Sequence, residues 1–427
     1  MDKVIVFWEW CIRMFLLNGT LKSNGVILSD IVQRLRSTNS MVGWAFSLQQ
    51  GVSYMISPFA ALLLGIFTRR QLAVSGSCLV GLSYVFFGLY LNSTWQLFFV
   101  YIETGVGFGC HLVGGYFSFV EHFYDNIPTI ISATTLFNFI GLALLPLVLQ
   151  YFKTSFGLSQ GLVLFGGVLG NLVFSAFAVT IPVRKGKQEK TLNITNADQD
   201  KHCPYIKREV EEKDTEKLNE EECVPNLFRS WSTLFKQENA AIIIALDSLM
   251  FYIFISWGLF LVSVGTCAGF RSEQAVLLST AGGIGGFFGK LIAVGLFHIK
   301  KMNAYTSSMI PLFCNSVSLL TCSLVKDIYV MLICTCVTGI CIGLNTSGLF
   351  GLLSTTVCKY HYRQASVILW VVEGVMVQLG GLVSGLISDF MGCASYVFLF
   401  NSILSIAGLP LVFIWACRKR PQKENNP

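Results

Sequence analysis

The stretch from Val183 to Gln237 holds 11 of the chain's 30 Lys and Arg and 11 of its 24 Asp and Glu. Without it, two nearly equal lengths of chain remain, and both are almost free of charge. Each reads as six apolar runs: 4–28, 41–66, 72–91, 96–119, 128–151 and 157–182, then 238–264, 274–297, 304–325, 329–352, 366–388 and 393–416. Every run reaches the roughly 20 residues that a helix needs to cross hydrocarbon. The expected architecture is an all-α membrane protein of 12 transmembrane helices in two six-helix halves (1–182 and 238–416). A charged linker loop (183–237) joins them, and a tail follows (417–427). Many secondary transporters are built from two such repeated halves.

Composition supports this reading. The chain is 53% hydrophobic and only 13% charged, against about 25% charged in a soluble domain, so the apolar surface is meant for lipid. The net charge of +6 is small and scattered, which argues against nucleic acid as a partner. No nucleophile–base set, phosphate loop or metal cluster stands out, so the chain does not read as an enzyme and no metal or cofactor is expected. The Cys residues read as free, small hydrophobes: Cys334-x-Cys336 has the wrong spacing for zinc, and His202-Cys203 is too far from Cys223. The first run carries Glu9, Arg13 and Lys22 without a cleavage site, so it reads as a span rather than a signal peptide. Connectors with Arg69-Arg70, Lys300-Lys301, Lys359 and Arg363, Arg184-Lys185 and Arg418-Lys419-Arg420 alternate with those holding Arg34, Arg36, Lys153, Arg271 and Lys326. The basic excess on the first side predicts cytoplasmic termini and a cytoplasmic linker. The linker mixes both signs of charge and reads as a disordered tether. Sequons at Asn18, Asn92, Asn193 and Asn345 are expected to be silent.

Several local patterns go further. Trp8-Glu9-Trp10 opens the first run, followed by Asn18-Gly19 and Lys22-Ser23-Asn24-Gly25-Val26. Trp44 begins the second run; Gly105, Gly107 and Gly109 mark the fourth, with Phe123-Tyr124 and Pro128 after it. Arg271-Ser272-Glu273-Gln274-Ala275 enters the eighth, and Gly380-Gly381, Gly385, Asp389, Gly392 and Tyr396 follow near the end. In this order the chain resembles a divergent member of the monocarboxylate transporter family (solute carrier family 16) of the major facilitator superfamily. The resemblance implies a major facilitator fold and a plasma-membrane symporter that moves a small organic anion, a monocarboxylate or related metabolite, by alternating access. It gives Lys22 the role of holding the substrate carboxylate. It also implies H+ as a possible partner, and a single-span accessory glycoprotein. Two departures bear on mechanism. Asn18-Gly19 and Gly25-Val26 are about one helical turn closer than in typical members, and the family's eighth-span Asp and Arg fall on Gly285 and Gly289.

Charges inside a membrane are costly, so each is read as functional or paired. Lys22, Lys290 and Asn345 form the expected substrate-binding set, although Lys22 also has the reach to snorkel to the interface. Glu103, His111, Asp247 and Glu373 are candidates for proton coupling or charge pairing. Glu9 and Arg13, four apart on one helix, are expected to neutralise each other. Gly285, Gly289, Gly381 and Gly385 are expected to let helices pack closely. Two other functions suit the departures: a facilitator of a zwitterionic or neutral metabolite without proton coupling, or a transport-inactive binding or receptor homologue.

Overall fold

In the computed structural model, residues 2–123, 130, 133–179, 240–298, 304–356 and 362–418 are described. The linker 183–237, the tail beyond Arg418 and the turn Asp125-Asn126-Ile127 lie outside the described residues. The first six spans are built from α1 (Asp2–Leu35), α2 (Asn39–Met55) with α3 (Ser57–Leu63), α4 (Arg69–Tyr90), α5 (Thr94–Phe123), α6 (Leu136–Phe156), and α7 (Leu158–Gly170) with α8 (Leu172–Phe177). The second six are α9 (Ala240–Cys267), α10 (Ser272–His298), α11 (Ala304–Leu324), α12 (Ile328–Thr356), α13 (Tyr362–Met391) and α14 (Ser395–Arg418). Ten of these helices are individually long and apolar enough to cross a membrane. Successive spans alternate in direction. We call the membrane face at which α1 begins the N-face, and the other the far face.

Local chemistry sets the helix ends. α1 runs past the expected residue 28 to Leu35 and stops where Arg36 turns left-handed, at φ 49°. The second span, expected to be continuous, breaks at Ile56 because Pro58 has no N–H for the carbonyl of Tyr54. The Ser57 hydroxyl donates to that carbonyl instead, at 2.6 Å. Thr68 and Gln71 cap α4 reciprocally, each side chain bonding the other's backbone.

Lipid offers apolar helices no hydrophobic drive toward one another, so close van der Waals contact between small residues holds the bundle together. Within the second half, α10 lies on α12 with Gly285 against the carbonyl of Cys336 and Gly289 against that of Ile340. The four-residue step on both helices makes this one continuous ridge. Between the halves, the main contacts run along α2–α13, α6–α10 and α1–α9. At the far face, Cys267 at the end of α9 is disulfide-bonded to Cys393 in the α13–α14 turn. This corrects the expectation that the cysteines are all free. Cys267 lies just past the seventh run and Cys393 opens the twelfth, two ends that the topology brings to the same face.

Candidate functional site

A cavity of about 100 Å³ lies between the halves. All its lining positions fall in the middle or N-face part of their helices. α1 contributes Trp10, Arg13, Met14 and Asn18, and α2 contributes Tyr54. Leu112 and Tyr116 come from α5, and Asn138, Phe139 and Leu142 from α6. The second half adds Met250, Phe251 and Phe254 from α9, Lys290 from α10, Ile342 and Thr346 from α12, and Ser366, Trp370 and Glu373 from α13. The walls are aromatic and apolar with a few polar groups between them, the usual make-up of a small-molecule site.

The polar groups differ between the two walls. On the first half, Arg13 is 1% exposed and its guanidinium stacks over the Trp10 ring at 4.2 Å. Its Nε and Nη1, and Trp10 Nε1, have no hydrogen-bond partner. Beside them, Asn18 Nδ2 donates to Asn138 Oδ1 at 3.1 Å and Gln50 Nε2 donates to Tyr54 OH at 3.0 Å. On the second half, Glu373 borders the cavity and the Asp247 carboxyl lies beside it, outside the lining. Asp247 Oδ2 and Glu373 Oε1 remain without partners. Tyr116 OH on one half donates to Ser366 Oγ on the other, at 3.2 Å.

Of the expected substrate-binding set, Lys290 is 2% exposed and borders the cavity. Asn345 sits one layer behind it, its Nδ2 pointing at Met250 Sδ 3.0 Å away. Lys22 is not among the lining residues. It is fully buried deeper toward the far face, where its Nζ donates to the Ser279 carbonyl at 3.0 Å and lies 3.8 Å over the Trp257 ring. Both partners belong to the opposite half, so Lys22 neither snorkels nor faces the cavity in this conformation.

The expected coupling residues also separate. Glu103 is partly exposed on α5. His111 is fully buried inside the first half, with Nε2 3.0 Å from Glu9 Oε1 and Nδ1 2.7 Å from Ser77 Oγ. The Ser77 oxygen also lies 2.7 Å from the Ala73 carbonyl, so Ser77 links the ring to the backbone of α4. Glu9 therefore bonds directly to His111 rather than to Arg13, although its charge still acts on the guanidinium as expected. Gly115, one turn beyond His111 on α5, makes the room: a methyl there would lie 2.8 Å from Glu9 Oε1.

Beyond the cavity the halves seal. A methyl on Gly43 would lie 3.0 Å from the Gly381 carbonyl oxygen; nearer the N-face, level with Tyr54 and Glu373, one on Gly51 would lie 3.0 Å from that of Gly374, so the same seam walls the side of the cavity. Gly385 sits against the backbone of Asn39 and Ser40. One turn further, Asp389 caps the N-terminus of α2 from the other half. Asn39 N donates to its Oδ1 at 2.9 Å and Ser40 N to its Oδ2 at 2.8 Å, while Asn39 Nδ2 also reaches Oδ1 at 2.9 Å. A carboxylate is favoured there by the free N–H groups and by the helix dipole. On α6–α10, Gly283 packs on Ala143, and Thr280 Oγ1 donates to the Ala143 carbonyl at 3.2 Å. Sequence reasoning placed the glycines and Asp389 in a motif but carried no sign that they form the seam between the halves.

A two-lobed helical fold with an inter-lobe cavity and one sealed face is the frame of an alternating-access carrier. The family description "Major Facilitator Superfamily" matches residues 11–377. The chain belongs to that superfamily: it is a multi-pass membrane transporter, not an enzyme. Within the superfamily it is similar to human (Homo sapiens) monocarboxylate transporter 14, with 21% identity over 187 residues. That match covers 42% of this chain and about a third (36%) of the relative's length. A crystal structure of nucleoside transporter NupG superposes with a TM-score of 0.67 at 13% identity, covering 99% of this chain and 100% of that one. A point mutant of NupG gives 0.70 at 12% identity, covering 98% and 100%. At such identities the likeness is one of fold.

Proposed function

We propose that the chain is a monocarboxylate-transporter-like secondary carrier that moves a small organic anion across the plasma membrane by alternating access, with the N-face cytoplasmic. The observation that carries this reading is the inter-half cavity, bordered by buried cationic side chains from both halves and closed toward the far face. Lys22 acts as the anion's first contact on the far side. While that face is shut, the Ser279 carbonyl and the Trp257 ring occupy its ammonium. Parting of the halves removes both partners at once and leaves a cation in need of a counter-charge. The anion is then passed toward Lys290. The Asp247–Glu373 pair is the candidate carrier of a coupled proton, since two neighbouring buried carboxyls cannot both stay charged without a large cost.

The orientation has two supports. Arg69 and Arg70 stand at the N-face, as the positive-inside rule requires. The Cys267–Cys393 disulfide stands at the far face, and disulfides persist where the compartment is oxidising.

Uptake of labelled short-chain monocarboxylates into proteoliposomes tests the reading. Lys22→Ala and Lys290→Ala are each expected to lower uptake by at least tenfold at equal reconstituted protein. Unchanged uptake in both variants would sink the proposed route.

A further inference from the structure

We infer that the cavity is a two-pole site. The α1 wall takes the carboxylate of a cargo through Arg13 and Trp10, and the α9–α13 wall takes a protonated amine on the same molecule through Asp247 and Glu373. The inference rests on the carrier reading above and extends its cargo from a simple anion to a small zwitterion with a carboxylate at one end and an ammonium at the other.

The two walls carry opposite and unmet demands. Arg13 Nε, Arg13 Nη1 and Trp10 Nε1 are buried donors without acceptors, while Glu373 Oε1 and Asp247 Oδ2 are buried acceptors without donors. Buried polar atoms without partners are uncommon, and four of these five belong to Arg13, Trp10 and Glu373, which line the cavity, with Asp247 beside Glu373. Stacking on Trp10 fixes the guanidinium plane and leaves its rim of N–H groups as the binding edge, the geometry that suits a carboxylate. A buried carboxylate at Glu373, with the Asp247 carboxyl beside it, is the complement of one ammonium.

Arg13 and Glu373 border the same cavity from opposite halves. The Tyr54 hydroxyl lies within the electrostatic reach of Glu373, Asp247 and Arg13 together. Arg13 nevertheless forms no ion pair with either acid among the described contacts, so the poles do not satisfy each other in this conformation. They also belong to different halves, α1 on one side and α9 with α13 on the other. A zwitterion spanning both poles therefore ties the halves together as it binds. A simple acid fills only the first pole, and a simple amine only the second.

The test is uptake and competition in proteoliposomes across a ladder of pole spacings: alanine, β-alanine and 4-aminobutyrate beside propionate, butyrate, propylamine and butylamine. At least one amino acid is expected to enter tenfold or more faster than its matched acid and its matched amine. Arg13→Gln is expected to erase the advantage over the amine, and Glu373→Gln the advantage over the acid. Arg13→Lys and Asp247→Asn serve as milder variants if the first pair folds poorly, each reducing the same advantage in part. If propionate or butyrate enters as fast as the best amino acid and the variants change both alike, the two-pole site is wrong while the anion carrier stands. Uptake of no member of the ladder would overturn both.

Discussion

The two depths of the interface between the halves are built from different materials. Toward the far face, α2 meets α13 through the backbone at Gly43, Gly381 and Gly385, with Asp389 and Lys22 as the polar ties. Toward the N-face, the same halves enclose a cavity around Arg13, Lys290 and Glu373 in a setting of aromatic rings, its sides walled where Gly51 meets Gly374 and Gly283 meets Ala143. Closure and recognition are thus assigned to separate levels of one interface. Residues at the far level decide which face is open, and residues at the N-face level decide what is carried.

The largest expected effect tests whether N-face charge is structural where it is not recognitional. His111→Leu strands the Glu9 carboxylate inside the first half, and loss of one partner from a buried pair costs about 3–5 kcal/mol. A marked drop in thermal stability in detergent is expected, and unaltered stability would refute the role of the pair as an internal tie. Next comes the far level. Asp389→Asn weakens three bonds that exist only while the far face is shut. The loss is about 1 kcal/mol, roughly a fivefold shift toward far-face opening, at unchanged cargo selectivity. Distances between spin labels in the α1–α2 and α13–α14 turns would register it; a change in selectivity would blur the division of labour proposed here. The smallest effect is the control. Lys153→Ala removes the 2.8 Å bridge to Asp30, which is partly exposed and joins helices of the same half. No more than about 0.5 kcal/mol is expected, with no change in opening.

Much of the fold is legible from apolar run length alone, because a helix that crosses lipid must satisfy all its backbone groups internally. The site is legible only in part. Spacing rules describe neighbours on one helix, and by that rule Glu9 belongs with Arg13. The bundle brings Glu9 instead to His111, 102 positions away, and frees Arg13 for the cavity. A hint lay in the sequence: Gly115 follows His111 by one turn and leaves a hollow on that face of α5. Lys22 is a second case. Its type and position mark it as functional, but its partners, Ser279 and Trp257, come from the other half and change as the halves move. No single-helix pattern records a contact of that kind.

The glycine contact between α2 and α13 has a kinetic meaning. Interlocked side chains must change rotamer before two helices part, as the teeth of a gear must clear. Gly43, Gly51, Gly374, Gly381 and Gly385 present bare main chain, so the two helices meet as smooth rails. Few side chains, Ser47, Met55 and Gln378 among them, and the Asp389 cap must clear as they part, and a single added methyl on either helix is enough to roughen the track.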